Sequence, residues 1–354
     1  MRKKVILRLA LVVLVIFLYK FTTLHRSTPA KQVNLNFNPE QPVVSFRPGG
    51  RLGNQICMCA HLLHTNITYT MQGFLYPNMR DLLMKLFERA PLPTIPSAIM
   101  EQMNNHSVDY FTALEDFKAN KRQMNNHSVD YFTALEDFKT NKRHENFTLL
   151  TGMPCRLSTF WNMMPLIREK FALKSSLKNS ARRRLQESLL ENRRNNGRPE
   201  RTADVETVVG VHVRRGDFQY ILDKYSGNSF LPPAYYHSAF EYFRTRFRRV
   251  LFLVMTAKKE VPWCKENLAS GFSDVVVLDD NASAELDFVQ LASLEHIIYS
   301  HGTFGLWTIL LSNAKTVVYP HPSTDVGFKR YSHHRSLDFM KTKLNTTSFV
   351  TVVF

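Results

Sequence analysis

The sequence predicts an α/β protein with two domains, and three observations lead to this prediction. The chain has 354 residues, 44% hydrophobic and 21% charged, which is enough for two packed cores and too apolar for a disordered chain. Its second half alternates short β-branched runs with helical stretches, the pattern of a parallel sheet covered on both faces. Its first half opens in the same way, with a strand at residues 42–47, a glycine-rich loop and an apolar helix to about residue 64. We therefore expect two Rossmann-like domains that face a cleft.

The N-terminal segment predicts a membrane anchor. Residues 5–24 are largely apolar, and the charges of Arg8 and Lys20 can reach the two headgroup layers. About 20 residues span a bilayer, and residues 22–26 lack the small residues of a cleavage site, so an uncleaved signal anchor is favoured over a signal peptide. The basic residues 2–4 favour a cytoplasmic tail at 1–4 and a lumenal body, hence a single-pass type II protein. A short span is typical of the thinner early secretory membranes, and we expect the Golgi.

Glycosylation sequons and cysteines agree with a lumenal body. Six N-x-S/T sequons follow the anchor, at Asn66, Asn105, Asn126, Asn146, Asn281 and Asn345. Four cysteines also follow it, at Cys57, Cys59, Cys155 and Cys264. An oxidising compartment permits two disulfides among them, and their spacing leaves the pairing open. The cysteines lack the paired C-x-x-C spacing of a zinc site, so no metal is expected there.

The positive charge is local. The net charge is +16, of which seven cations lie in the first 31 residues and a further basic run lies at residues 168–201. This distribution argues against a nucleic-acid binder. Apolar residues about four apart predict one helix over residues 165–192, with Arg182, Arg183 and Arg184 on its flank. A solvated face or an acidic-lipid contact explains these arginines better than a nucleotide site.

Three segments lie outside the predicted core elements. Residues 25–41 are polar and form the predicted stem. Residues 102–122 are repeated at 123–143 with one change, Ala119 to Thr140, and two copies are too few for a solenoid. We assign this repeat no function. The turn-forming residues 195–199 (NNGRP) predict a boundary between domains at 42–198 and 199–354.

The second domain contains the clearest element pattern. Strands are predicted at residues 207–213, 250–255, 274–278, 297–300 and 316–319. Helices are predicted at residues 232–248, 263–269, 284–296 and 304–312. Ligands of such a sheet bind beyond the carboxyl ends of its strands.

The segment 212–217 (HVRRGD) stands at such a strand end. Alternation places His212 and Arg214 on one face of the strand, while Arg215 and Asp217 enter the loop. Two guanidinium groups with forked donors suit a diphosphate and can stabilise its departure without a metal ion. An Arg–Asp ion pair that only holds the strand end is the structural alternative.

Three weaker patterns also precede or follow strands. The loop at residues 49–55 contains Gly53 and Asn54 and could admit a ligand close to its backbone, although it matches neither G-x-G-x-x-G nor a P-loop. Residues 302–307, with Thr303, are a second candidate phosphate cradle or an ordinary βα turn. Asp279 and Asp280 suit either a divalent ion or a capped turn before a helix.

Four segments occur in this order along the chain: residues 49–55 (GGRLGNQ), 209–218 (VGVHVRRGDF), 252–267 and 287–307. Together they resemble the α-1,2-fucosyltransferase family, in particular the animal galactoside 2-α-L-fucosyltransferases. The resemblance covers most of residues 42–318. It implies a GT-B-like fold, a GDP-fucose donor, inversion at the fucose anomeric carbon and no metal cofactor. It also implies that domain 42–198 faces the acceptor and domain 199–354 binds GDP-fucose.

The resemblance also assigns site residues. Arg214 and Arg215 correspond to the basic pair at the donor diphosphate, and His212 belongs to the same motif. Asp287 corresponds to a guanosine contact and Thr303 to a phosphate contact, and Phe288, Gly53 and Asn54 are further candidate donor-binding residues. Arg214, Arg215 and Asp217 are the candidate catalytic residues, with Asp217 as the nearest carboxylate for a general base.

The resulting hypothesis is transfer of L-fucose from GDP-fucose to the 2-hydroxyl of a terminal galactose on a glycoprotein or glycolipid. Two alternatives remain open at this point. One is a fucosyltransferase for another acceptor, such as a protein hydroxyl or a different sugar. The other is a lumenal glycan-binding protein that has kept the fold without turnover.

Overall fold

A computed structural model describes residues 41–68, 71–104, 107–109, 147–152, 154–197, 206–225, 230–321 and 333–354. The predicted anchor, most of the stem, most of the repeat, and the sequons at Asn105, Asn126 and Asn146 lie outside these ranges. Within the described residues, no helix combines the length and the apolar character needed to cross a bilayer. The described residues all belong to one unit, residues 37–354.

The first sheet has four parallel strands in the order β2-β1-β4-β3. They are β1 (Val43–Phe46), β2 (Gln72–Gly73), β3 (Ser107–Asp109) and β4 (Phe147–Thr151). Its helices are α1 (Leu52–Thr68), α2 (Pro77–Leu86) and α3 (Ser97–Asn104). Every residue of β1 is buried, as expected for a central strand of a parallel sheet. The strand and helix predicted at the start of this half are confirmed.

The segment between the sheets contains three helices, α4 (Leu157–Phe160), α5 (Met164–Lys170) and α6 (Ser175–Asn195). The single helix predicted over residues 165–192 is therefore wrong. The chain between α5 and α6 pairs with the end of α2 instead: Lys174 N–H donates to Leu86 O at 3.0 Å, and Ala172 O accepts from Glu88 N–H at 2.9 Å. These long-range hydrogen bonds require extended backbone, which ends the helix.

The second sheet has six parallel strands in the order β10-β9-β8-β5-β6-β7. They are β5 (Thr207–His212), β6 (Val250–Met255), β7 (Val275–Val277), β8 (His296–Ile298), β9 (Thr316–Pro320) and β10 (Ser348–Val352). Numbered from β5, this is the order 3-2-1-4-5-6 of a dinucleotide-binding Rossmann sheet. Five strands are confirmed with ends shifted by at most a few residues, and β10 was not predicted.

Helices cover both faces of this sheet. They are α7 (Phe218–Tyr225), α8 (Pro233–Arg244), α9 (Val261–Cys264), α10 (Ala284–Ala292), α11 (Gly302–Leu311) and α12 (His333–Lys341), with a π-helical turn at Lys265–Ala269. On one face the buried aromatic residues of α8, such as Tyr235 and Phe240, pack on β5 and β6. On the other face Leu185 and Leu189 of α6 pack against a cluster that includes Leu291 of α10. Helix α6 precedes the boundary predicted at residue 198 and nevertheless contributes to the second core.

Two helices of this sheet end earlier than expected. The helix predicted over residues 232–248 stops at Arg244. The helix predicted over residues 284–296 stops at Ala292, because His296 already belongs to β8 and pairs with Thr316 of β9.

The cysteines differ from the sequence expectation, and the sequons at Asn66, Asn281 and Asn345 lie within the described residues. Cys57 of α1 and Cys155 form a disulfide, whereas Cys59 and Cys264 are buried free thiols, so one disulfide forms rather than two. The Asn66 side chain hydrogen-bonds to the backbone N–H and O of Gly73. These bonds use the side-chain amide to which a glycan would be attached, and glycosylation of Asn66 stays a prediction. The sequons at Asn281 and Asn345 are exposed, and their glycosylation stays a prediction.

Candidate active site

The site is defined by the point where the strand order of the second sheet reverses. This reversal lies between β5 and β8, and ligands of open α/β sheets bind beyond the carboxyl ends of the strands at such a point. After β5 the chain enters the loop 213–217, which carries Arg214, Arg215 and Asp217. After β8 it continues through Ser300 and His301 into α11. The topology thus places the HVRRGD segment opposite the start of α11.

Ser300 joins these two loops, and the sequence analysis did not single it out. Its Oγ accepts a hydrogen bond from Arg214 N–H at 3.1 Å and lies 3.2 Å from His212 Nδ1. The Tyr236 hydroxyl also hydrogen-bonds to Ser300. Since Ser300 and Tyr236 are buried, this network fixes the backbone at Arg214 from below the surface. The only local signal is a small hydroxyl residue at the end of a buried strand.

His212 is the last residue of β5, and its ring packs against α11. Its ring stacks on Phe304 with centroids 5.5 Å apart, and a Cβ atom on Gly305 would come within 2.8 Å of its Nδ1. Burial, and secondarily Arg214, lowers the pKa of His212 to about 3, so the ring is neutral at neutral pH. His212 therefore contributes packing at the strand end and no positive charge for a phosphate.

Arg214 and Asp217 form an ion pair at the mouth of the switch point. Arg214 Nη1 donates to Asp217 Oδ1 at 2.6 Å and to Arg215 O at 3.1 Å. Asp217 Oδ2 pairs with Arg51 Nη2 at 3.0 Å. This pair connects the two glycine-containing loops, residues 49–55 and residues 213–217. The hydrogen bond from Arg214 holds the pKa of Asp217 below its usual range. The Arg–Asp ion pair that the sequence offered as an alternative is thus present, with Arg214 and Arg51 as the partners of Asp217.

Arg215 has a different environment. Its guanidinium lies 3.7 Å from the ring centroid of Trp263 and 4.4 Å from that of Phe230. Its Nε donates to Glu260 Oε2 at 3.3 Å, and its side chain is 17% exposed. Aromatic stacking and an ion pair thus fix this guanidinium. The two guanidinium groups thus have different side-chain partners, Asp217 for Arg214 and Glu260 for Arg215, and their joint contact with a diphosphate stays a prediction.

The N-termini of α1 and α11 lie side by side. A Cβ atom on Gly53 would come within 2.5 Å of Phe304 N, so the backbones touch, and Thr303 Oγ1 donates to Asn54 Oδ1 at 2.7 Å. One turn further on, Trp307 Nε1 donates to Cys57 Sγ at 3.0 Å. The contacts advance in the same direction along both helices, so the helices run parallel. Two positive helix ends therefore point to one place, an arrangement that favours an anion.

This contact changes the interpretation of Gly53 and Asn54. The sequence suggested that Gly53 allows a ligand to approach the backbone, but the group that approaches it is the backbone of α11. Asn54 and Thr303 bond to each other across the same contact. These residues bring the two helix ends together.

The predicted donor-binding residues Asp287 and Phe288 both contact other side chains of the protein. Arg184 of α6 pairs with Asp287 at 2.7 Å and with Asp280 at 2.6 Å, and its side chain is only 8% exposed. The solvated or lipid-facing role predicted for Arg184 is therefore wrong. Phe288 is fully buried and packs edge-to-face on Phe304 with centroids 5.3 Å apart, so its side chain lies behind α11 and not at the surface.

The Asp279–Asp280 pair has separate cationic partners. Asp279 pairs with Lys265 at 2.7 Å, while Asp280 pairs with Arg184. Ser283 then caps α10 by accepting from Leu286 N–H at 3.2 Å. This geometry is the capped turn rather than a pair of carboxylates directed at one ion. In the described part of the chain no group of three or more His, Cys, Asp or Glu side chains is arranged to hold a metal.

Two solved structures share a distant likeness with the chain. An Arabidopsis thaliana FUT1 variant in complex with GDP is 12% identical, with a TM-score of 0.44 over 82% of this chain and 73% of that chain. POFUT1 in complex with GDP-fucose is 9% identical, with a TM-score of 0.45 over 80% of this chain and 99% of that chain. These scores are too low to support a conclusion, and the fold rests on the sheet topology.

Sequence relatives are closer. Galactoside α-(1,2)-fucosyltransferase 1 from Bos taurus is 30% identical over 272 residues, which cover 76% of this chain and 66% of that protein. The protein of the same name from Alouatta belzebul is 31% identical over 276 residues, covering 76% and 65%. The chain thus spans just under two thirds of the length of these relatives. Residues 47–336 match glycosyl transferase family 11. The chain belongs to glycosyl transferase family 11.

Proposed function

We propose that the protein transfers L-fucose from GDP-fucose to the 2-hydroxyl of a terminal galactose, with inversion at the fucose anomeric carbon. Membership of glycosyl transferase family 11 and the names of the relatives support this reaction. One structural observation carries it: the parallel N-termini of α1 and α11 meet beside Arg214, at the switch point of a 3-2-1-4-5-6 sheet. This is where a nucleoside diphosphate is expected to place its phosphates.

The proposed reaction needs stabilisation of the leaving group. The galactose O2 attacks fucose C1, the bond from C1 to the β-phosphate oxygen breaks, and its electron pair leaves with GDP. Negative charge grows on the diphosphate as this bond lengthens. Arg214 and the two helix ends present fixed positive charge and N–H donors there, so they stabilise the transition state more than the ground state. This charge can perform the role that a divalent ion performs in other transferases.

The proton of the galactose hydroxyl needs an acceptor. Asp217 is the carboxylate next to Arg214 and is our candidate general base. Its hydrogen bond to Arg214 keeps it ionised but makes it a weak base in the donor-free protein.

Arg215 is a positioning residue in this proposal. Its stack between Trp263 and Phe230 holds one side of the loop 213–217. Gly216 has a φ of +70°, and a Cβ atom there would lie 2.6 Å from Lys259 Cε. A residue without a side chain is therefore required where the loop turns toward Asp217.

The two parallel sheets support a GT-B-like arrangement, with residues 42–198 on the acceptor side and residues 199–354 holding GDP-fucose. The apolar segment 5–24 supports a single-pass type II protein with a lumenal body in the Golgi membrane. The acceptors would then be glycans of glycoproteins or glycolipids.

Transfer of radiolabelled fucose from GDP-fucose by the detergent-solubilised full chain tests the proposal. We expect label on a β-galactoside, none on the matched 2-deoxygalactoside, and no loss of rate with a chelator. Label on the 2-deoxy compound or on a peptide would assign another acceptor. Glycan binding without transfer or donor hydrolysis would favour a binding protein, and loss of rate with a chelator would contradict the metal-free mechanism.

A further inference from the structure

Asp217 lies between two guanidinium groups from different parts of the chain. Arg51 directly precedes α1 of the first sheet, and Arg214 follows β5 of the second after Val213. Each carboxylate oxygen has its own partner, with Oδ1 at 2.6 Å from Arg214 Nη1 and Oδ2 at 3.0 Å from Arg51 Nη2. One side-chain anion therefore bridges the cations of the two glycine-containing loops.

This bridge lies where the proposed donor needs its positive charge. Arg51 is two residues before Gly53, which contacts the start of α11. The backbone of Arg214 is bonded to Ser300, two residues before α11. The carboxylate thus engages the guanidinium groups beside both converging helix ends.

A carboxylate and a phosphate make the same kind of bond to arginine. Both accept charge-assisted hydrogen bonds from the guanidinium fork, but a diphosphate offers more oxygens and more negative charge. The side chains of Asp217 and Arg51 are 43% and 66% exposed, and that of Arg214 is 19% exposed. The Asp217–Arg51 pair therefore contributes little to stability, so exchanging it for a ligand costs little. The less exposed Arg214 gains charge-assisted bonds to a diphosphate in place of the one it loses.

We propose that Asp217 is an internal substitute for the donor phosphate: it holds Arg51 and Arg214 in the donor-free protein, and a nucleoside diphosphate displaces it from both. The inference rests on the proposed function, because it assumes that a sugar nucleotide binds at this point. It adds Arg51 to the groups that hold the diphosphate. It also predicts that Asp217 becomes a better proton acceptor only when the donor is bound.

This dependence on the donor follows from the charges around the carboxylate. Asp217 faces Arg214 and Arg51, with Lys259 of the 3-10 turn Lys258–Glu260 as a further cation. While Arg214 is bonded to it, the carboxylate is a poor proton acceptor. When the diphosphate takes Arg214 and Arg51, these bonds are lost and the pKa of Asp217 rises toward its ordinary value. Asp217 then becomes a better base only after the donor has bound.

The test is the affinity for GDP of Asp217→Asn, measured by isothermal titration calorimetry on the full chain. Removing the competing anion should tighten GDP binding by about two- to thirtyfold, the range expected for the loss of two ion pairs. Guanosine, which has no phosphate, should bind the variant and the wild type equally. The control is Asp81→Asn, since Asp81 is also an exposed aspartate paired with an arginine, Arg80, at 3.0 Å. Equal tightening in the control, or weaker GDP binding by Asp217→Asn, would overturn the proposal.

Arg51→Gln separates displacement from simple charge repulsion. This variant should bind GDP less tightly than the wild type. In its background, Asp217→Asn should lose at least about half of its gain in GDP affinity, because part of the competition is already absent. An undiminished gain would show repulsion alone and would contradict displacement.

A parallel titration with UDP distinguishes this inference from the proposed function. Equal tightening of GDP and UDP, without preference for guanine, would support the role of Asp217 and reject the GDP-fucose donor. If neither nucleotide binds the wild type or the variant, both proposals fail. Unfolding curves of each variant establish that it is folded.

Discussion

Gly53→Ala tests the contact that brings the two helix ends together. The added methyl group would lie 2.5 Å from Phe304 N and 2.6 Å from Thr303 C, where carbon contacts normally begin at about 3.5 Å. The helix ends must therefore separate by about 1 Å, which also breaks the 2.7 Å hydrogen bond from Thr303 to Asn54. Overpacking costs about 1–3 kcal/mol and the lost bond about 1 kcal/mol. We expect the free energy of unfolding to fall by about 2–4 kcal/mol.

The assay is urea unfolding at neutral pH, followed by a GDP titration of the folded variant. Gly197→Ala is the control, because a Cβ atom there meets nothing within 4 Å and its φ of +62° alone makes alanine unfavourable. That strain costs about 1 kcal/mol. Because both helix ends move, Gly53→Ala should also weaken GDP binding, which Gly197→Ala should leave unchanged. A Gly53→Ala variant no less stable than the control would refute the packing argument, and one that keeps full GDP affinity would refute the phosphate site.

Three further predictions concern turnover, pH and the disulfide. Arg214→Ala should lower turnover at least about tenfold, or about 1.4 kcal/mol, and a smaller loss in the transfer assay would remove the diphosphate role of Arg214. The folded pKa of His212, lowered by burial to about 3, lies below its ordinary 6.5, so the unfolded chain binds a proton that the folded chain does not. The contribution of His212 to the free energy of unfolding is therefore fully present above pH 6.5 and falls by up to about 1.4 kcal/mol per pH unit as the pH drops toward 3. His212→Asn should remove this contribution from the pH dependence of the urea midpoint. An unchanged pH dependence in the variant would contradict this prediction. Dithiothreitol should lower the unfolding free energy by about 2–5 kcal/mol, since the Cys57–Cys155 bond closes a long loop, and Cys57→Ser with Cys155→Ser should abolish the effect.

The repeating elements of the second sheet were predictable because their signals are local. Strands of a parallel sheet that is covered on both faces are typically continuous runs of β-branched and other apolar residues. Residues 250–255 (VLFLVM) are such a run, so they predict a buried strand. The strand β10 (SFVTV) lacks such a run, and its place is set by its register with β9. The break between α5 and α6 could not be predicted from local sequence either, because it depends on hydrogen bonds to residues 86–88, which are far away along the chain.

The site was predictable as a segment but not as an arrangement. The motif HVRRGD indicated the strand end that lies at the switch point, because ligands of open α/β sheets bind beyond the carboxyl ends of the strands. Which arginine faces the switch point depends on Trp263 and Glu260, which hold Arg215 from another element. Ser300 and Arg51 act through contacts that only the strand order and the packing of α1 on α11 create. Burial of Arg184 likewise depends on two carboxylates about a hundred residues away.

The most direct test of the phosphate site is a crystal structure of the full chain with GDP. The account predicts phosphate oxygens at hydrogen-bond distance, about 3 Å, from Arg214 and from the first N–H groups of α11, with Asp217 no longer bonded to Arg214. A different cationic cavity, of about 380 Å³ and lined by Arg244, Arg248 and Arg249, lies at the amino end of β6. Phosphates bound in that cavity, or an intact Arg214–Asp217 pair beside an empty switch point, would contradict the account.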